Sequence, residues 1–223
     1  MDSSFDRLIR LLPPPSGEVA AVPWDLSRPQ ISLDFPADYR RFADHYGGGD
    51  VVEPDWVYTP YDGEELDDPG EPQDRVNLSI YGPHGGVWPF EGGGEFHAFR
   101  THQIAEVHSL FAFEDAAEGH WGDTVYPVYP DPGGLLAWGS NIDGDVFFWL
   151  TEDPDPDRWP VVMWARGPAT MIRFDGGMVD FLVSVLSGEH PQITWLTGPN
   201  LTWVMHNDWL HRDVPDSARS FLP

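Results

Sequence analysis

The chain has 223 residues, and its composition, 41% hydrophobic and 14% aromatic, is typical of a folded protein rather than a disordered one. The formal net charge is -25 and all 12 basic residues are arginines; a surface of that sign disfavours binding to nucleic acid or anionic membranes and attracts cationic partners. There is no cysteine, which excludes disulfides, thiolate catalysis and zinc-thiolate sites.

The first residues include two aspartates and only a brief apolar patch, which is unlike a signal peptide. No run in the chain approaches the ~18 apolar residues of a membrane-spanning helix. A cytoplasmic protein is therefore expected. The acidity has two explanations: it serves recognition of a basic partner, or it reflects a compositional bias that serves solubility alone.

Two helices are predicted in the first fifty residues, from apolar side chains repeated at helical spacing. Ser3 or Ser4 can cap the first helix, and Pro13 ends it. The second begins at Pro36 and is closed by Gly47, with an irregular connector between the two helices at residues 16–30. The apolar faces consist of Phe5, Leu8, Ile9 and Leu12 in the first helix and Tyr39, Phe42, Ala43 and Tyr46 in the second.

The next eighty residues give weaker patterns. Residues 55–61 are a predicted strand that Pro60 interrupts, and residues 75–81 alternate apolar and polar side chains, as an amphipathic strand does. Residues 63–73 are rich in Asp, Glu, Pro and Gly, which predicts a mobile loop. A strand at residues 96–99 and a short helix over residues 104–111 are also predicted.

The strongest local pattern is a β-hairpin. An apolar run begins at Leu135 and stops at Gly139, and a second run occupies residues 146–150, with the Asp143-Gly144 turn between them. All five residues of the second run are apolar, so both faces of that strand should be covered inside a sheet. Residues 159–165 are predicted to form the next strand, with Pro160 at its entry.

A third helix is predicted before Gly188, which ends it. Its apolar stripe consists of Phe174, Met178, Phe181, Leu182, Val185 and Leu186. Residues 193–196 fit either a last short strand or a packed extension. Residues 201–210 place Trp203, Val204 and Trp209 where they can cover an exposed face, and residues 213–223 are expected to fray.

This series of segments resembles the SUKH superfamily, a group related to a yeast cell-wall-assembly regulator that includes many bacterial immunity proteins. The resemblance is carried by the hairpin sequence WGSNIDGDVFFW, by WPVV after it, and by the helix start FDGGMVDFL. It spans residues 31–190. An upstream motif of the superfamily is matched by Pro36, Asp38, Tyr39, Arg40, Phe42, Tyr46, Gly47, Gly48 and Gly49.

The resemblance implies a single α+β domain with a mainly antiparallel sheet and flanking helices. The expected organisation is a helix and connector in residues 1–30, a SUKH-like domain in residues 31–190, and an extension packed on it in residues 191–223. The implied function is that of an immunity protein, not an enzyme, which binds a cognate toxin domain, such as a nuclease, and blocks it. Other members of the superfamily are regulatory or scaffold proteins, so the fold does not decide the role.

No catalytic, cofactor or metal site is predicted. Asn141, Asp143 and Asp145 superficially match a calcium loop, but the other positions of a calcium loop are absent and a hairpin turn explains these residues. The histidine spacings do not place two imidazoles on one helix face. There is no G-x-S-x-G motif, and the glycine triplets at residues 47–49 and 92–94 lack the lysine of a phosphate loop.

One enzymatic alternative stays open, because eleven tryptophans and many carboxylates are compatible with a sugar-binding or glycosidase cleft. Such an enzyme needs two carboxyl groups about 5–10 Å apart, and sugar rings bind on exposed aromatic platforms. No motif marks such a carboxyl pair. The predicted strands contain Trp138, Trp149, Trp159 and Trp164, which favours the core for these four.

Two acidic loops are the candidate binding surface for a basic protein partner; the alternative is a merely solvated surface. Pro154 and Pro156 are expected to hold the second loop extended, which would lower the entropy lost on docking. The candidate residues are Glu64, Glu65, Asp67 and Asp68 in the first loop and Glu152, Asp153, Asp155 and Asp157 in the second.

Overall fold

The computed structural model describes residues 3–17, 19, 24, 35–56, 73–80, 126–127, 129, 131–141, 143–168, 170–194, 196–198 and 200–205. Within these ranges the chain forms three α-helices, one 3₁₀ helix and seven strands. In chain order they are α1 (Ser4–Leu11), α2 (Ala37–Tyr46), β1 (Gly49–Trp56), β2 (Gln73–Ile80), β3 (Leu135–Ser140), β4 (Val146–Leu150), the 3₁₀ helix (Pro156–Arg158), β5 (Val161–Ala165), β6 (Thr170–Phe174), α3 (Met178–Leu186) and β7 (Thr202–Met205).

The seven described strands form one antiparallel sheet in the order β6-β5-β4-β3-β2-β1-β7. Its two outermost described strands, β6 and β7, follow one another in the sequence and are joined through α3. The prediction of an α+β fold with a mainly antiparallel sheet is confirmed. Both ends of the described chain take part in it, since α1 packs against α3 and β7 pairs with β1.

Strand β4 is buried on both faces, as its uninterrupted apolar sequence predicts. Phe147 and Trp149 point into the main core, whereas Phe148 and Leu150 belong to a second apolar cluster. All four side chains are at most 2% exposed. Strand β5 continues both layers, so the centre of the sheet is apolar on either side.

The helices bury the faces that their sequences predict. Ser3 caps α1 through a reciprocal capping box with Asp6. Phe5 and Leu8 are buried; α1 contacts α3, and the ring of Phe5 meets His45 and Tyr46 of α2. In α2 the four predicted apolar residues are buried, and Gly47 closes the helix with φ of 70°. None of the helices in the described ranges has the length and apolarity to cross a bilayer.

The predicted hairpin is present, but its first strand does not stop at Gly139. Strand β3 continues to Ser140, with an irregular register between Ala137 and Gly139. A Cβ on Gly139 would lie 2.6 Å from the carbonyl oxygen of Ser79, so glycine here permits β2 to approach closely. At the turn, Gly144 has φ of 87°.

Strand β1 begins at Gly49, earlier than the strand predicted from residue 55. The glycine triplet indicates a break, yet a Cβ on Gly49 would lie 2.5 Å from the carbonyl oxygen of Val204 and 2.7 Å from the ring of Trp203. Glycine is therefore required by the neighbouring strand. Pro54 lies where the register shifts between Glu53 and Trp56, a position at which a strand tolerates proline.

Two further predictions are corrected near the C-terminus of the described chain. Residues 170–174 form strand β6, which was not predicted, and Phe174 ends that strand rather than opening the α3 stripe. Gly188, with φ of 72°, ends the helix as expected.

Residues 193–196 form no strand within their described part but a packed extension, in which Ile193 and Leu196 are buried. In β7, Trp203 is buried whereas Val204 is 49% exposed. The predictions for residues 57–72, 81–125 and 206–223 lie outside the described residues.

Candidate functional site

The second predicted acidic loop, residues 152–157, connects β4 to β5 on the described surface. We call it the acidic loop. Asp155 and Asp157 are exposed, and the side chains of Glu152 and Asp153 are 43% and 22% exposed. The first predicted loop, with Glu64, Glu65, Asp67 and Asp68, lies outside the described residues.

The acidic loop is folded on itself by its own carboxylates. Oδ1 of Asp153 accepts the backbone N–H of Asp155 at 2.9 Å, and Oδ1 of Asp155 accepts that of Asp157 at 3.1 Å. Each is an aspartate bond to the backbone two residues on, which fixes a turn. The indole of Trp159 donates to the carbonyl of Asp153 at 2.6 Å. The loop therefore has a defined shape without any partner.

That shape differs from the predicted one. Pro154 and Pro156 do not hold the loop extended, because Pro156 is the first residue of the 3₁₀ helix that Asp155 caps. Proline suits this position, since its fixed φ matches the helix and it has no N–H to leave unsatisfied. A small loss of entropy on docking, which was expected from an extended segment, would instead come from the preformed turn.

Arginines tie the loop to the sheet. Arg173 of β6 donates to both oxygens of Glu152, at 2.6 and 3.2 Å, and to Asp175 at 2.7 Å. These bonds, first the one with Glu152, raise the pKa of Arg173. Arg158 pairs with Asp153 at 3.2 Å. The pairs are largely exposed, so each contributes less than about 1 kcal/mol, and their effect is to orient the loop.

Asp157 connects the acidic loop to the helices. Its Oδ1 accepts the backbone N–H of Ala37 at 2.6 Å, at the first residue of α2. Pro36, the residue before the helix, offers no side-chain cap, so Asp157 supplies the missing acceptor from a distant part of the chain.

Carboxylates from other elements also meet the starts of α3, at a backbone N–H, and of α1, at a serine hydroxyl. Asp38 of α2 accepts the N–H of Val179 at 3.0 Å, where the α3 cap residue Gly177 has no side chain to do so. Asp180 of α3 in turn accepts the hydroxyl hydrogen of Ser4 at the start of α1. Three helix N-termini are thus each met by a side chain from another element, and we call Asp157, Asp38 and Asp180 the acidic band.

Within the acidic band, the carboxyl of Asp38 is affected by burial and by its neighbours. Burial raises the pKa of the Asp38 carboxyl; the N–H groups of Val179 and Tyr39 oppose this, and the nearby charges of Asp180 and Asp157 raise the pKa further. The positive ends of α2 and α3 partly offset the accumulated negative charge.

The described carboxylates of the acidic loop are placed at the surface, where they can meet cationic groups. No group of three or more His, Asp or Glu side chains within the described ranges is arranged to hold a metal ion. Four of the eleven tryptophans, Trp138, Trp149, Trp159 and Trp164, are at most 4% exposed and belong to the core, as expected. They offer no platform for a sugar ring.

Comparisons with known proteins add no further constraint. The chain matches no protein-family model, no curated protein and no solved structure. The SUKH resemblance therefore remains a prediction that rests on its motif residues.

The sequence identified the loop carboxylates but missed the residues that position them. Arg173, which binds Glu152 of the acidic loop, lies in a strand that was not predicted. Asp38 and Asp180, which meet the starts of α3 and α1, were motif residues without an assigned role. Their roles depend on contacts across 21 residues for Arg173, 141 for Asp38 and 176 for Asp180, which no local pattern encodes.

Proposed function

We propose that the protein is a non-catalytic binding protein of the immunity type, which neutralises a basic toxin domain, such as a nuclease, by occluding its cleft in a stoichiometric complex. The observation that carries the proposal is the shape of the acidic loop, which keeps four carboxylates in a fixed arrangement before any partner binds. The motif resemblance supplies the class of partner, and the loop supplies a surface suited to it.

The loop carboxylates retain capacity for a partner. An ionised carboxylate has about four lone-pair positions, and Asp155 and Asp157 each use one of them in the bonds given above. Arginine and lysine of a nuclease cleft, which normally meet phosphates, can bind the remaining positions. Because the loop is already ordered, docking loses little conformational entropy.

Long-range attraction acts in the same direction. The four loop carboxylates and Asp175 outnumber Arg158 and Arg173 locally, and the whole chain carries a net charge of -25. Such a field accelerates encounter with a cationic protein and makes association sensitive to salt.

The test is co-expression of the protein with toxin-like domains encoded by neighbouring reading frames, with survival of the host as the readout. The decisive variant is Asp155→Asn with Asp157→Asn, because an amide oxygen can still accept the N–H bonds while the charges are lost. We expect association with the rescued toxin to weaken by roughly 5- to 30-fold at low salt, from about 0.5–1 kcal/mol per charge.

Asp143→Asn is the matched control. Asp143 lies in the hairpin turn at the opposite end of β4, about 17 Å along the strand from residue 152, and Asn-Gly suits such a turn as well as Asp-Gly. It should bind as the unaltered protein does. If no neighbouring toxin is neutralised, the immunity function is wrong, and looser binding to several host proteins would favour the scaffold role. The double variant removes two charges and Asp143→Asn removes one, so an equal loss of binding free energy per charge in both would show that overall charge, not the acidic loop, is responsible.

A further inference from the structure

His190 lies just after the C-terminal end of α3 and is only 5% exposed. Its Nδ1 lies 3.2 Å from the backbone nitrogen of Gln192 and 3.1 Å from that of Ile193. A backbone N–H can only donate, so Nδ1 accepts both bonds. The ring is therefore neutral and carries its proton on Nε2.

The surroundings of the ring are apolar. It lies against Phe174 of β6 and Phe181 of α3, with centroids 5.9 and 6.0 Å from its own. Burial lowers the pKa of His190. The backbone N–H of His190 itself donates to the carbonyl of Ser184, which anchors the residue to the last turn of α3.

The charged groups on the elements packed around His190 have partners of their own. Beside Phe174, Arg173 and Asp175 bind each other, and beside Phe181, Asp180 accepts from Ser4. Next to His190, Glu189 accepts from Arg7 of α1 at 2.9 Å. The carbonyl end of α3 favours a cation nearby, but it does not restore an acceptor to Gln192 and Ile193.

The turn that His190 fixes begins the connection from α3 to β7. Ile193 and Leu196 anchor this connection in the main core. Thr197 donates its hydroxyl hydrogen to the carbonyl of Leu186 at 3.2 Å. The connection ends at β7, where the indole of Trp203 donates to the carbonyl of Tyr46 at 2.8 Å.

We infer that neutral His190 holds the β7 edge of the sheet in place, and that protonation of its ring at acidic pH releases that edge. When a proton from solvent binds Nδ1, the acceptor becomes a donor that faces two N–H groups, and a charge enters the pocket between the phenylalanines. The bonds of Gln192 and Ile193 are then lost, and the connection to β7 loosens before the centre of the sheet does. This behaviour belongs to the fold and does not depend on the proposed partner.

Hydrogen exchange of the full-length protein tests this role of His190. The exchange rates are measured at about pH 7.5 and pH 5.5 and corrected for intrinsic exchange. The probes are the amides of β7 and the indole N–H of Trp203, with β4 and β5 amides as the internal reference. Between these pH values a group with an unfolded pKa of 6.5 can raise the opening equilibrium by at most about tenfold. We expect a loss of protection approaching that limit at β7 and little change in β4 and β5.

Three variants separate the mechanism from simple loss of structure. His190→Asn keeps an acceptor, since an asparagine oxygen can accept from the N–H two and three residues on, and it should be insensitive to pH. His190→Phe keeps a ring without the acceptor and should be poorly protected at both pH values. His45→Gln, at an exposed histidine of α2, should behave like the unaltered protein. Protection at β7 that does not change with pH, or an equal loss in His190→Asn, would overturn the inference.

Discussion

Replacing Asp157 distinguishes its structural role from its charge. Asp157→Ala removes the side-chain oxygen that lies 2.6 Å from the N–H of Ala37, the first residue of α2. Loss of an N-terminal cap costs about 1 kcal/mol, and loss of a negative charge at the helix N-terminus about 0.3–1 kcal/mol more. Asp157→Asn loses the same charge but keeps the acceptor. The difference between the two variants therefore isolates the hydrogen bond, which we expect to contribute about 1 kcal/mol.

The measurement is urea unfolding of both variants at the same ionic strength, followed by tryptophan fluorescence. Both variants relieve the repulsion within a chain of net charge -25 by the same amount, so this effect cancels in the comparison. Hydrogen exchange in the first turn of α2 should locate the loss. If Asn is as destabilising as Ala, or if the two differ by less than about 0.3 kcal/mol, Asp157 does not cap α2 in solution.

Three further changes test other contacts. Gly49→Ala should destabilise the protein by about 2 kcal/mol or more. The new Cβ would meet the backbone oxygen of Val204, which cannot move unless strand β7 moves with it. A cost below about 1 kcal/mol in urea unfolding would contradict the close approach. Trp203→Phe should cost about 1–3 kcal/mol through the lost indole bond to Tyr46 and the space left by the smaller ring, and an unchanged unfolding midpoint would argue against that contact. The bond from Arg7 lowers the pKa of Glu189 from its usual 4.5. The stabilisation by this ion pair is therefore present above pH 4.5 and is lost as the pH falls through the pKa of Glu189 in the folded state. Glu189→Gln should flatten this part of the pH–stability curve, and an unaltered curve would show that the pair is not formed.

The centre of the fold follows from local sequence. Five consecutive apolar residues in β4 require cover on both faces, and Asp143-Gly144 supplies the backbone conformation of the turn. These features are encoded within about ten neighbouring residues, which is why the hairpin could be predicted. The close approach of Gly139 to β2 could not be, because the carbonyl of Ser79 that it faces is far away in the sequence.

The edges of the sheet are determined by distant contacts. Gly49 appears in a triplet that normally ends an element, and the close approach of Trp203 and Val204 in β7 explains why glycine is needed there within a strand. Strand β6 is short and only Ile172 in it is fully buried, so its sequence has little periodicity. In the acidic loop the charges were evident from composition. Their hydrogen bonds were not, since a carboxylate that closes a turn and one that faces solvent have the same sequence.

The pairing of β7 with β1 has a consequence for synthesis on the ribosome. Thr202 bonds to Val52 across a separation of 150 residues, so this register is among the last that the nascent chain can form. At about 5–20 residues per second, β1 waits roughly 8–30 s for its partner strand to emerge. During that interval one side of β1 lacks its native neighbour, and an unpaired strand edge of this kind can pair with a non-native strand.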